Sequence, residues 1–198
     1  MKASFLDRLL ERTADWHTRL GQNILSVNLL SPNVAVDDYK KYLAAVFGFV
    51  SGFEQYIYPE LRAFVPDLDK RKKKQIIKDD LVKLGQNISE IEKMPESYFR
   101  SMYIDPFAAL GALYILESLT LGGELIQKHL QATLQQPLVG KLKYFVAHGN
   151  NAEPMWQAFL RNFSSIAENT DKQENIIDGA LRTLRLLDQV MTDESVKV

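Results

Sequence analysis

The chain has 198 residues, 46% of them apolar and 25% charged, enough for one sizeable core and short for two, so a single domain over 1–198 is expected. Its 24 basic and 25 acidic residues nearly cancel, which removes the overall field that a nucleic-acid or anionic-membrane partner would need. There is no cysteine, so disulfides, thiolate metal sites, thiol nucleophiles and CxxC redox motifs are excluded together, and a reducing cytoplasm is the expected compartment.

The N-terminal segment MKASFLDRLLER carries charges at Asp7, Arg8, Glu11 and Arg12 and lacks the apolar centre of a signal peptide. The apolar run AAVFGFV at 44–50 falls far short of the ~18 residues of a spanning helix, so no membrane span is expected. Apolar residues recur at spacings of 3 and 4 along most of the chain. A first helix is predicted over 5–25, opened by a capping box of Ser4 and Asp7, with Leu6, Leu10, Thr13, His17, Leu20 and Ile24 as its seam. A second, over 37–58, is rich in aromatic residues from Tyr39 and Tyr42 to Tyr56 and Tyr58. A third, over 68–93, is charged, with a narrow apolar stripe from Ile76 to Ile91. The run KRKKK at 70–74, set among Asp67, Asp69, Asp79 and Asp80, reads as a solvated face or as a docking patch for an acidic redox partner.

A fourth helix opens at Asp105-Pro106, a cap followed by proline in the first turn, and runs to about 134. Shorter helices over 138–147, ended by Gly149, and over 154–168 precede a last one over 171–192, with Thr170 and Gln173 as a second capping box. Hairpin dipeptides and alternating patterns are missing, so the predicted class is all-α, a single-domain multi-helix bundle.

On the fourth helix Ala108, Gly111, Ile115, Ser118, Gly122 and Ile126 form a stripe of mostly small residues, and Gly122 is followed at once by Gly123. Each glycine costs roughly 1 kcal/mol relative to alanine in a helix interior, so something must approach closely enough to offset it. That neighbour is either another helix or a large flat ligand lying against the backbone. His17 faces inward from its seam, where a buried neutral imidazole either hydrogen-bonds locally or binds a metal. His148, just before Gly149, suits a helix C-terminus, and His129 has no evident companion. The absence of HExxH and of Glu-x-x-His pairs argues against zinc-protease and di-iron sites.

LLERTADWHTRL at 9–20, with Thr13 four residues before the histidine, and YILESLTLGG at 114–123 resemble the opening helix and the distal-helix signature of the heme oxygenase family. The signature is usually read Tyr-Val-Leu-Glu-Gly-Ser-Thr-Leu-Gly-Gly. DDLVKLG at 79–85, YFVAHG at 144–149 and MWQAF at 155–159 extend the resemblance in order along the chain, closest to the bacterial, phytochrome-associated branch. The resemblance implies a helical domain in which heme is both cofactor and substrate. It further implies that heme is cleaved to biliverdin, carbon monoxide and ferrous iron with electrons from an external donor, a ferredoxin or another reductase. It implies His17 as the iron ligand with Thr13 on the same helix, and Ser118, Gly122 and Gly123 as distal backbone over the ring, holding a proton-delivering water network. Arg161 is the expected partner of a heme propionate.

The chain departs from the family pattern at Gly21, where an acidic residue four after the histidine is usual, and at Leu10, where arginine is common. It departs also at Ser118 and Leu119 in the distal signature and at His148, where the bacterial branch often has tyrosine. Two other readings share the fold: a tetrapyrrole-binding protein without turnover, to which Gly21 and Leu119 point, and a helical interaction scaffold that has lost its ligand.

Overall fold

The computed structural model describes residues 4–90, 96–121, 123–134 and 137–192, and every regular element among them is helical. α1 (Phe5–Gly21) starts with the reciprocal cap that the sequence suggests: the Ser4 hydroxyl accepts the Asp7 amide and the Asp7 carboxylate accepts the Ser4 amide. The expected 5–25 helix is interrupted after Gly21. The Asn23 side chain accepts the Leu25 amide at 3.1 Å and so opens a separate short helix, α2 (Ile24–Leu29).

α3 (Val36–Tyr56) is buried without interruption from Leu43 to Phe53, as befits a helix apolar on all sides, and α4 (Tyr58–Leu61) follows it. The helix expected over 68–93 is much shorter. A 3-10 turn at Leu68–Arg71 leads into α5 (Lys74–Lys83), which stops where Gly85 takes φ +77°, a conformation that ends an α-helix. That turn also overturns the solvated reading of the 70–74 run: Lys70 and Lys72 are exposed, but Arg71 and Lys73 are each only 1% exposed. The cause lies on the fourth predicted helix, whose Glu117 carboxylate receives both cations.

α6 (Arg100–Tyr103) precedes α7 (Pro106–Ser118), capped by Asp105 as expected, and α8 (Gly123–Leu134). The single helix predicted over 105–134 is therefore two, separated by a turn at Leu119–Leu121. The stretch Pro106–Leu134 is long and apolar enough by composition alone to be compared with a membrane span, more so than 44–50. More than half of its most apolar window is buried inside the protein, where it forms core. The helix expected over 138–147 is replaced by 3-10 turns at Val139–Lys141 and Tyr144–Val146, with a third at Gly149–Asn151 around Gly149, whose φ is +48°. α9 (Ala152–Glu168) and α10 (Gln173–Thr192) complete the chain.

One apolar core runs through the bundle, and its axis is the α7–α10 pair. Asp105 bonds Asn175, Ala108 meets Gly179, and Gly111 meets Ile176 and Ala180, so the two helices touch through their backbones around Gly111 and Gly179. A Cβ at Gly111 would overlap the Ile176 carbonyl, and one at Gly179 would overlap the Ala108 carbonyl. At Gly111 the small-residue stripe is thus explained by a helix crossing. α1 lies alongside α10: Arg8 bonds Gln173, Arg19 Nε pairs with Asp188 at 2.7 Å, and Asn23 donates to the Thr192 hydroxyl at 2.9 Å.

Candidate functional site

His17 sits one turn before the end of α1, half-buried, on the wall of a cavity holding about 850 Å³ of unfilled space, part of it open to solvent. α3 presents Tyr42, Val46, Phe49 and Val50 to this cavity at helical spacing, and α7 and α10 contribute Leu116, Leu187 and Met191. Leu119 from the turn after α7 and Ile126 from α8 also face it. No charged side chain lines it among the described residues; its polar groups are His17, Ser26, Tyr42 and Tyr144.

The His17 ring has no hydrogen-bond partner among the described residues, and burial lowers its pKa below the usual histidine value. It therefore stands as a neutral imidazole with a free lone pair at neutral pH. No group of three or more histidines or carboxylates positioned for a metal ion occurs among the described residues. A single imidazole cannot hold a bare ion, but it can complete the axial position of a metal already held in a planar macrocycle. The donor chemistry and the mostly apolar lining, with no charged side chain among the described residues, fit that kind of occupant.

Tyr144 is fixed from behind. The Asp80 carboxylate, fully buried, accepts the backbone amides of Lys143 at 2.6 Å and Tyr144 at 2.8 Å and pairs with Lys83 Nζ at 3.1 Å. Tyr39, Tyr42 and Tyr144 gather around Phe145, with ring centroids 5.7, 5.8 and 5.0 Å from it. Burial pushes the Tyr42 phenol up to about 12 and raises that of Tyr144 well above the usual value, so both remain O–H donors at neutral pH.

At the end of α7, Glu117 is 3% exposed and bridges Arg71 Nη1 at 2.5 Å and Lys73 Nζ at 3.4 Å. Arg71 also pairs with Asp67 at 2.7 Å, donates to the Met155 carbonyl at 3.1 Å and lies over the Phe159 ring. Desolvation lowers the Lys73 pKa despite its pairing with Glu117. This network flanks the cavity wall, because Leu116 and Leu119 on either side of Glu117 face the cavity.

Of the expected site residues His17, Thr13, Ser118, Gly123 and Arg161, only His17 lines this cavity; Gly21 and Leu119, two of the departures from the family pattern, line it as well. Thr13 is fully buried, its hydroxyl donating to the Leu9 carbonyl at 2.8 Å. The Ser118 hydroxyl is turned back onto the Ile115 carbonyl at 2.8 Å. Gly123 lies on a neighbouring pocket with His148, and a Cβ there would overlap the Phe145 carbonyl, so its missing side chain makes room for backbone. Gly122 lies outside the described residues. Arg161 is exposed on α9 and does not line the cavity. His148, expected to cap a helix end, follows a 3-10 turn instead, and its Nε2 is buried without a partner among the described residues. His129 does have a companion: its Nε2 meets the Ser31 carbonyl at 3.1 Å.

Sequence reasoning missed Tyr42 and Tyr144 as cavity residues, although Tyr42, Val46, Phe49 and Val50 share one face of their helix at spacings of 3 and 4. It also missed the Arg71–Glu117–Lys73 cluster, whose members are 44 and 46 residues apart and have no local signature.

A family model described as heme oxygenase matches residues 3–193. The chain belongs to the heme oxygenase family. Among solved structures, the heme oxygenase of Leptospira interrogans is similar in fold, with a TM-score of 0.79 at 13% identity, covering 96% of this chain and 99% of that one. The NO- and CO-bound heme oxygenase of Neisseria meningitidis gives a TM-score of 0.76 at 23% identity, covering 98% of this chain and 92% of that one. No curated protein matches the sequence. Family and fold together support heme degradation as the activity of this heme oxygenase-family chain and heme as what it binds.

Proposed function

We propose that the protein holds heme in the cavity beside His17, whose neutral imidazole would hold the iron, and cleaves it to biliverdin, carbon monoxide and ferrous iron. The observation that carries this reading is a half-buried histidine, free of hydrogen bonds among the described residues, on the wall of an uncharged cavity. Bound heme supplies the redox iron and the ring that is consumed; the protein supplies ligation, shape and exclusion of bulk water. Leu116, Leu119 and Phe49 keep the site apolar. Among the described residues no cation lines the wall, so heme carboxylates belong at the solvent side of the cavity, and Arg161, exposed on α9, is the proposed partner of one of them. Electrons come from an external donor of the ferredoxin or flavin-reductase class.

A second reading, heme binding without turnover, is favoured by one feature. Leu119 faces the cavity while the neighbouring Ser118 hydroxyl is engaged by Ile115, so this stretch offers little to anchor a water chain.

A hemin titration followed by absorption, run beside His17→Ala, tests both readings. A stoichiometric Soret band that needs His17 and gives way to biliverdin absorption when ascorbate or a ferredoxin system is added supports cleavage. A His17-dependent band that persists under reductant supports binding alone, and no specific band in either protein sinks both.

A further inference from the structure

Two phenols stand in a cavity otherwise lined almost wholly by hydrocarbon. Tyr144 is 7% exposed and Tyr42 half-buried, both line the cavity, and neither hydroxyl has a hydrogen-bond partner among the described residues. They are neighbours, sharing the Phe145 ring as a common support. Asp80 pins the Tyr144 backbone, so that ring is held in place rather than left to adapt. Neither phenol oxygen is sealed from solvent, so water can serve both when no ligand is bound; an occupant that displaces that water leaves two donors to be matched, and one that brings acceptor oxygens matches them.

The rim of an intact porphyrin away from its propionates is methyl, vinyl and meso C–H and offers no acceptor. Excision of a meso carbon leaves two lactam carbonyls on that rim. A wall built to donate hydrogen bonds favours the oxygenated molecule and leaves its donors unpaired against the hydrocarbon one. We propose that Tyr42 and Tyr144 form a donor pair that receives the lactam carbonyls of the ring-opened tetrapyrrole, so that the cavity holds its product through contacts the substrate cannot make. The proposal rests on the heme-cleaving reading above, and it makes the two phenols specificity residues for product rather than for heme.

The test is equilibrium titration of three probes, hemin, biliverdin and biliverdin dimethyl ester, into the wild-type protein, Tyr42→Phe, Tyr144→Phe, the double variant, and Tyr39→Phe. Tyr39 belongs to the same aromatic cluster but does not line the cavity, so it controls for packing. The double variant is expected to bind biliverdin and its dimethyl ester about tenfold more weakly, with hemin affinity and its Soret band within about twofold of wild type. Tyr39→Phe leaves all three affinities unchanged. Unaltered biliverdin binding in the double variant, or no biliverdin binding by wild type, overturns the proposal. So does a loss that extends equally to hemin or disappears with the dimethyl ester, because the oxygens held would then be propionates. A missing His17-dependent hemin band with the biliverdin results as expected would defeat the heme-cleaving reading and leave the donor pair standing.

Discussion

The Asp80 carboxylate on α5 holds the backbone of Tyr144 at 2.8 Å, linking a helix remote in sequence to the cavity wall. Its two amide contacts and its pairing with Lys83 are made at 0% exposure, where hydrogen bonds to a charged acceptor are among the stronger ones. Asp80→Asn replaces an acceptor oxygen by an N–H₂ that faces donors. It is expected to lower unfolding free energy by about 2 kcal/mol in urea denaturation and to weaken binding of any cavity ligand through displacement of Tyr144. Stability within a few tenths of a kcal/mol of wild type would show that the carboxylate is not needed there.

Glu117→Ala leaves Arg71 and Lys73 buried without their shared anion, although Asp67 still serves Arg71. Removing one member of a buried charge cluster costs roughly 3–5 kcal/mol, and the urea midpoint reads it. A loss below about 1 kcal/mol would mean that water reaches the two cations.

Gly21 offers open space: no atom lies within 4 Å of a Cβ built there. Gly21→Glu can therefore be accommodated and places a carboxylate four residues after His17, on the same face of α1. A hydrogen bond to the imidazole fixes its orientation and raises its basicity, so hemin is expected to dissociate roughly tenfold more slowly. An unchanged off-rate, followed by transfer of hemin to an apo-globin acceptor, would show that the ring is already oriented by packing.

His148 gives the apo protein an acid sensitivity. Burial lowers its pKa first, and Lys73 and Arg71 lower it further, against the opposing pull of Glu117 and Asp67. The unfolded chain, with an ordinary histidine pKa near 6.5, then binds the proton more readily than the folded one. Stability from this group is complete above about pH 6.5 and is lost as pH falls through the lower folded-state value. Urea midpoints measured from about pH 7.5 down to 5 should decline less steeply in His148→Gln than in wild type. Parallel profiles would assign the acid sensitivity to other groups.

Local signals in the sequence were legible where the physics is local. The Ser4–Asp7 box, the Asp105 cap and the all-helical class follow from spacings of 2 to 4 residues, and each appears in the structure. The seam expected through His17 holds only in part: Thr13 and Leu20 are buried and His17 half-buried, but Leu10 and Ile24 are exposed, and the buried face of α1 runs instead through Phe5 and Leu9. What stayed hidden depends on partners distant in sequence. Gly123 offers no hint that the Phe145 carbonyl lies where its side chain would be, and Arg71 inside a basic run gives no sign that Glu117 awaits it. The break after Gly21 has no strong local signal because the apolar period continues across it, and the paired glycines at 122 and 123 suggest only a loosened helix where the chain turns after Ser118.

The paired glycines at positions 111 and 179 act as a caliper. Because carbonyl oxygens rather than side chains touch there, the spacing of α7 and α10 is set by main chain, and no choice of rotamer can widen or narrow it. Further along the same pair, Leu116 and Leu187 face the cavity, so that part of its width is a fixed dimension. Any adaptation to a bulkier ring must come from the α2 and α8 sides, through Ser26, Leu30 or Ile126, and efforts to retailor the site should begin with those positions.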